Sequence, residues 1–185
     1  IFIFFDSVLD VEAEIYSTQD VRSRSIIATL LRFDMAMERF HSSGLIKDIE
    51  DLVFYKSVPI LGVCIGLQIM TRKSDEGILK GLGWLDAEVK LIKENIKLPL
   101  PHMGWNTINV DNENSKLLSG VNNERFYFLH SYHVISDYSY NHIASSNYGS
   151  KILAAASDKN IYGCQFHPEK SHSAGLRVLE NFSKL

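Results

Sequence analysis

Cysteine, proline and unbalanced charge are all scarce in this chain. Cys64 and Cys164 are its only cysteines, far apart and without Cys-x-x-Cys spacing. That argues against a zinc ribbon or a disulfide scaffold and fits a reducing cytoplasm. The 19 lysines and arginines are balanced by 22 acidic residues, for a formal net charge of −3. A surface that neutralises phosphate backbones needs a clustered positive excess, so no nucleic acid is expected as a partner. Long apolar runs are missing too: Ile1 to Phe5 is followed at once by Asp6, Asp10, Glu12 and Glu14. With no basic leader and no membrane-spanning length, neither a signal peptide nor a membrane partner is expected. Ile1 suggests that the natural start lies upstream. No repeat, low-complexity tract or linker interrupts the chain, and no further ligand is spaced to join Cys64 in a metal site.

What is present is an ordinary globular mixture, 45% apolar and 22% charged over 185 residues, enough for one domain with a sizeable core. In the first half short apolar runs alternate with helical patterns, which predicts a parallel sheet covered by helices. Ile1 to Phe5 reads as a buried strand. Asp34 to Leu52, broken by Ser42-Ser43-Gly44, reads as a helix, a turn and a second short helix. Pro59 to Val63 reads as a strand and Gly66 to Thr71 as a helix. After Gly81 the period changes, and Leu85 to Leu91 and Thr107 to Val110 read as strands of antiparallel hairpins. Phe126 to Leu129, His133 to Ile135, Ile152 to Ala156 and Ile161 to Phe166 are further strands. Asp137 to Tyr140 reads as a polar loop tip, and Ala174 to Leu185 as a closing helix.

Cys64 falls where strand becomes helix, within Gly62-Val63-Cys64-Ile65-Gly66-Leu67-Gln68. Glycines two before and two after a nucleophile leave room for a strained turn that projects the sulfur outward. A helix N-terminus favours the thiolate, and the N–H of Ile65 would point at an oxyanion. By itself the elbow fits a small buried hydrophobe equally well. The segment Phe166-His167-Pro168-Glu169 adds a histidine followed two residues later by a carboxylate, with a stiffening proline between them. One short segment can thus supply a base and the group that orients it. Alone, His-x-Glu fits a surface pair or two metal ligands. Together with a distant cysteine it has the expected form of a thiol nucleophile site. Cys164, in an apolar strand, is expected to be buried and inert, and His102, His130 and His133 to be structural histidines satisfied by backbone.

The two motifs together resemble the class I, or triad, glutamine amidotransferases, whose signature is a Gly-x-Cys-x-Gly-x-Gln elbow and a late Phe-His-Pro-Glu. Ser74-Asp75-Glu76-Gly77, Lys80-Gly81-Leu82-Gly83, Pro101-His102-Met103-Gly104-Trp105-Asn106 and Tyr127 to Val134 resemble the glutaminase subunits of imidazole glycerol phosphate synthase. The resemblance runs from about Asp34 to the C-terminus. It implies a flavodoxin-like three-layer α/β/α fold with a mostly parallel central sheet and an added antiparallel portion, in one amidotransferase domain over residues 1–185.

On function, the resemblance implies hydrolysis of L-glutamine through a cysteinyl thioester, without cofactor or metal. Cys64 would be the nucleophile, His167 the proton carrier and Glu169 the group that holds His167. Ile65 and Gly66 would contact the oxyanion. Gln68, Glu76, Ser131 and Tyr132 would bind the substrate. Trp105, Asn106 and Lys170 would face a synthase or cyclase subunit, a (β/α)8 barrel joined in a heterodimer of histidine biosynthesis. Lys80 to Ala87 and Lys170-Ser171-His172 resemble paralogues serving sugar amidotransferases of bacterial surface polysaccharides at least as closely. Other classes are an inactive binding scaffold and a thiol peptidase, though Gln68 with Glu76 suits a small zwitterionic substrate.

The chain departs from the family pattern in two places. An Asp-Tyr-Gly-x-Gly-Asn segment is replaced by Phe5-Asp6-Ser7, and a Pro-Gly-Val-Gly loop is missing where Ile26 to Leu31 passes straight to Arg32-Phe33-Asp34. Without that loop the oxyanion hole would be half built, and competence of Cys64 would depend on a partner ordering that side.

Overall fold

The computed structural model describes residues 33–92, 98–136 and 142–185, together with the backbone of 2–4, 14–16 and 25–29. Eleven strands and four α-helices are found among these residues. The first three strands are β1 (Phe2–Phe4), β2 (Glu14–Tyr16) and β3 (Ser25–Thr29). Helix α1 (Phe33–Ser42) buries Phe33, Ala36, Met37 and Phe40, the i, i+3, i+4, i+7 stripe of an amphipathic helix. The expected break after it holds at Gly44 (φ 70°). Helix α2 (Ile46–Glu50) follows and runs on as a π-helical turn over Asp51–Tyr55.

Strand β4 (Ile60–Cys64) is buried throughout and leads directly into α3 (Ile65–Ile69). Beyond it come β5 (Glu88–Leu91), β6 (His102–Val110), β7 (Arg125–His130), β8 (Tyr132–Ile135), β9 (His142–Asn147), β10 (Lys151–Asp158) and β11 (Ile161–Cys164). A 3-10 turn over Pro168–Lys170 and helix α4 (His172–Phe182) close the chain.

Nine strands form one sheet in the order β2-β1-β3-β4-β11-β10-β9-β6-β7, and β5 pairs with β8 beside it. The block β1-β3-β4-β11 is parallel, and the strands from β10 to β7 extend it as an antiparallel wing. Side chains of β4 alternate between two cores. Ile60 packs with α1 and α3, whereas Leu61 and Val63 pack with Phe126, Phe128 and the α4 residues Val178 and Phe182. Helices therefore cover both faces of the parallel block, the three-layer α/β arrangement expected from the sequence.

Several boundaries differ from the expected ones. β5 starts at Glu88 because Leu85 and Ala87 bond into the turn after α3, Leu85 N donating to Met70 O and Ala87 O accepting from Arg72 N. β9 is absent from the sequence-based expectation, since His-Ile-Ala-Ser-Ser-Asn carries little β-branched or aromatic signal. It forms because its four central residues are buried between β10 and β6. β11 stops at Cys164, where the chain turns toward the 3-10 turn, and α4 begins two residues before Ala174. The burial expected for Ile1 to Phe5 and the loop tip expected at 137–140 lie outside the described residues. No described helix is long and apolar enough to cross a membrane.

Candidate active site

The end of β4 presents Cys64 with φ 54° and ψ −107°, a conformation that costs a side-chain-bearing residue free energy and persists only when its surroundings enforce it. The enforcement is visible on both sides: Thr29 of β3 pairs with Cys64, and Cys164 of β11 pairs with the preceding Val63. Gly62 is required as well, since a Cβ there would stand 2.6 Å from the carbonyl carbon of Gly66. Ile65 and Gly66 are the first residues of α3, so their N–H groups have no acceptor within the helix. The Cys64 thiol donates to Leu129 O at 3.7 Å and accepts a hydrogen bond from Gln165 Nε2 at 3.6 Å.

His167 arrives from the other end of the sequence and is fixed by β7. Its N–H donates to Tyr127 O at 2.9 Å. Ser171 Oγ donates to His167 O at 2.5 Å and accepts from Tyr127 N at 3.0 Å. Strand β7 thus holds both halves of the site, Leu129 beside the sulfur and Tyr127 on the histidine backbone.

His167 Nδ1 meets Glu169 Oε1 at 2.7 Å, with the imidazole 2% exposed and the carboxylate 36% exposed. Nε2 is buried and makes no hydrogen bond of ordinary geometry, while Cys64 still raises its proton affinity. Burial alone would lower the imidazole pKa, but Cys64 and Glu169 outweigh it and raise the value to about 9. The site is therefore organised to favour the protonated imidazole, placed between the Cys64 sulfur and the Glu169 carboxylate.

Gln68, on α3, is buried and spends both amide hydrogens inside the protein, on Tyr132 O at 3.0 Å and Gln165 Oε1 at 3.1 Å. It ties Tyr132 to α3, and Ser131 O, next to it, accepts from Ile92 N at 2.9 Å. Glu76 also ties two segments together, because its Oε2 accepts from Phe33 N at 3.1 Å, at the N-terminus of α1. Asp34 reciprocates, accepting from Ile78 N and Leu79 N at 3.0 Å each. The loop carrying Glu76 is thereby latched onto α1.

Cys164 is fully buried, and burial pushes its thiol pKa well above the ordinary value, as for an inert core residue. Two residues of the site escape the sequence reading. Gln165 touches the sulfur, and Leu129 places its carbonyl there. Gln165 lies just before the His-Pro-Glu segment, but its apolar neighbours make it read only as part of a strand. A backbone carbonyl leaves no sequence signal. His102 corrects another expectation, because its ring nitrogens are satisfied by the His130 and Asn106 side chains and not by backbone.

The family model described as glutamine amidotransferase class-I matches residues 39–185. The chain belongs to that family. Among curated relatives it is similar to imidazole glycerol phosphate synthase subunit HisH of Leptospira borgpetersenii, 42% identical over 156 residues, covering 83% of this chain and 76% of that one. It is also similar to subunit HisH 2 of Methanococcus maripaludis, 37% identical over 180 residues, covering 97% and 88%. A solved glutamine amidotransferase of Thermotoga maritima shares the fold at TM-score 0.59 and 15% identity, covering 93% of this chain and 67% of that one.

In this amidotransferase the residues expected to face a partner lie around one edge of β6 and β7. Trp105 is 39% exposed and Met103 62% exposed. The Trp105 ring stacks on His172 with centroids 5.0 Å apart and planes 10° from parallel. Lys170 is exposed beside Glu169. The Asn106 amide is committed inside the chain, donating to Asn147 O at 2.9 Å and to His102 Nε2 at 3.2 Å. Residues 30–32, where the Pro-Gly-Val-Gly loop is missing, lie outside the described residues.

Proposed function

We propose that this chain is the glutaminase subunit of an imidazole glycerol phosphate synthase, releasing ammonia from glutamine for a cyclase subunit in histidine biosynthesis. One observation carries the reading: His167 stands between Cys64 and Glu169, with its proton affinity raised by both. The names of the curated relatives supply the pathway.

In the reaction the Cys64 thiolate attacks the side-chain carbonyl carbon of glutamine, and the N–H groups of Ile65 and Gly66 donate to the developing oxyanion. His167 gives its proton to the leaving nitrogen, and the tetrahedral species collapses to a thioester and ammonia. The now neutral His167 takes a proton from water as that water attacks the thioester, and glutamate leaves as the thiolate and imidazolium are restored. Glu169 holds the imidazole in place throughout by Nδ1.

Gln68, Glu76, Ser131 and Tyr132 form the substrate-binding side. With both amide hydrogens of Gln68 committed, its oxygen is the group it can offer to the α-ammonium of glutamine. Trp105, Asn106 and Lys170 belong to the partner-facing side, where Trp105 and Met103 give an aromatic and apolar anchor of the kind that dominates interfaces. The partner is a (β/α)8 cyclase forming a heterodimer, and the setting is cytoplasmic. The assembled triad favours this reading over an inactive scaffold.

The test is ammonia release from glutamine by the purified chain, alone and with the cyclase subunit. Weak release alone and stimulation of roughly tenfold or more by the cyclase is the expected result. No ammonia in either case would overturn the glutaminase reading. Stimulation only by a sugar amidotransferase would overturn the pathway.

A further inference from the structure

One backbone carbonyl near the active site fixes the orientation of five side chains around it. Tyr132 O can only accept hydrogen bonds, and it receives two, from Gln68 Nε2 at 3.0 Å and from His130 Nδ1 at 2.8 Å. On the first side Gln68 must therefore point its nitrogen at Tyr132, and its other amide hydrogen goes to Gln165 Oε1 at 3.1 Å. That leaves Gln165 only one orientation, with Nε2 toward the Cys64 sulfur at 3.6 Å. The flipped amide would set two NH₂ groups against each other and an oxygen lone pair against the sulfur.

On the second side, His130 must carry its proton on Nδ1. Its Nε2, 3.0 Å from His102 Nδ1, is then the acceptor, so His102 also carries its proton on Nδ1. His102 Nε2 in turn accepts from Asn106 Nδ2 at 3.2 Å. Both rings are almost fully buried, and burial holds their pKa values down, to about 4 for His102 and about 3 for His130, so the neutral forms persist near pH 7.

We propose that Gln165 is a catalytic donor to the Cys64 thiolate. In this proposal Gln68, His130, His102 and Asn106 are positioning residues whose hydrogen bonds, organised on the Tyr132 carbonyl, lock that donor in place. The inference rests on Cys64 being the nucleophile. A neutral N–H donor at the sulfur stabilises the thiolate more than the thiol, because only the anion is a strong acceptor. It acts beside His167, whose proton affinity Cys64 and Glu169 both raise. The chain of bonds also reaches from the nucleophile to Asn106, on the strand that carries Trp105.

Two measurements test it. Long-range ¹H–¹⁵N spectra of histidine-labelled wild-type protein should show His102 and His130 both neutral and protonated on Nδ1, the tautomer that free histidine disfavours. An Nε2-protonated form of either ring overturns the chain of bonds. Gln165→Glu keeps the shape but, when ionised, cannot donate. It should lower glutaminase kcat by about tenfold, the order of one charge-assisted hydrogen bond, with KM unchanged and the ultraviolet thiolate absorbance of Cys64 reduced. Gln165→Met has no donor in any ionisation state and should behave the same way; a folded Gln165→Met protein with wild-type kcat and absorbance overturns the proposal. Cys64→Ala separates the two readings: if it is inactive while the Gln165 variants are normal, only this inference fails. If Cys64→Ala is active, the nucleophile assignment fails with it.

Discussion

Two groups of buried histidines lie side by side in this molecule and are driven in opposite directions. His167 is raised to about 9, whereas His102 and His130 are lowered to about 4 and about 3. Burial lowers all three. What separates them is the partner: His167 faces a carboxylate and a thiol that can ionise, while the bonds of His102 and His130 go to each other, an amide and a carbonyl. Charge on the neighbour, more than depth, decides which histidine can carry a proton in a reaction and which can only hold a shape.

The contrast between the two groups can be broken at Glu169. Glu169→Gln keeps the hydrogen-bonding length but removes the charge, so His167 should become a histidine of the second kind. Ammonia release should fall on the order of 10² to 10⁴-fold, with the His167 NMR titration midpoint moving well below 9. Cys64→Ala should move the same midpoint downward by at least as much, because the sulfur is the larger of the two influences that raise it. A midpoint unmoved in either variant would show that the partners do not set it.

The second group should appear as an acid sensitivity of the fold. A histidine whose folded pKa lies below its unfolded value binds fewer protons when folded. Its stabilising effect is then complete above about pH 6.5 and is lost as pH falls toward about 4 and below. The melting temperature of the wild type should therefore drop between about pH 6.5 and about pH 4. His102→Phe, which can keep the stacking on Phe128 and Tyr148, should flatten that slope. An unchanged slope would contradict the account. Cys164→Ala should have the smallest effect, leaving ammonia release at the wild-type level and costing about 1 kcal/mol of stability by urea denaturation.

How far these features can be read from the sequence depends on whether they lie in local patterns. The elbow at Cys64, the His-Pro-Glu pair, the parallel block and the stripe of α1 follow from spacing and periodicity. β9 does not, because its small and polar residues become a strand only between two others. Gln165, Leu129 and the Tyr132 carbonyl are illegible for a different reason. Their roles arise where α3, β7, β8 and the residue after β11 converge from distant stretches of sequence, and two of the three act through backbone atoms. His102 can be recognised as structural, but its tautomer depends on a carbonyl about thirty residues away, at Tyr132.

The central claim is that Cys64, of the two cysteines, is the nucleophile of a glutaminase triad. A glutamine-analogue electrophile, followed by peptide mass spectrometry, tests it most directly. The account predicts modification of Cys64, protection by glutamine, and loss of labelling in Cys64→Ala with Cys164 untouched. Labelling at Cys164 with Cys64 unmodified would contradict it.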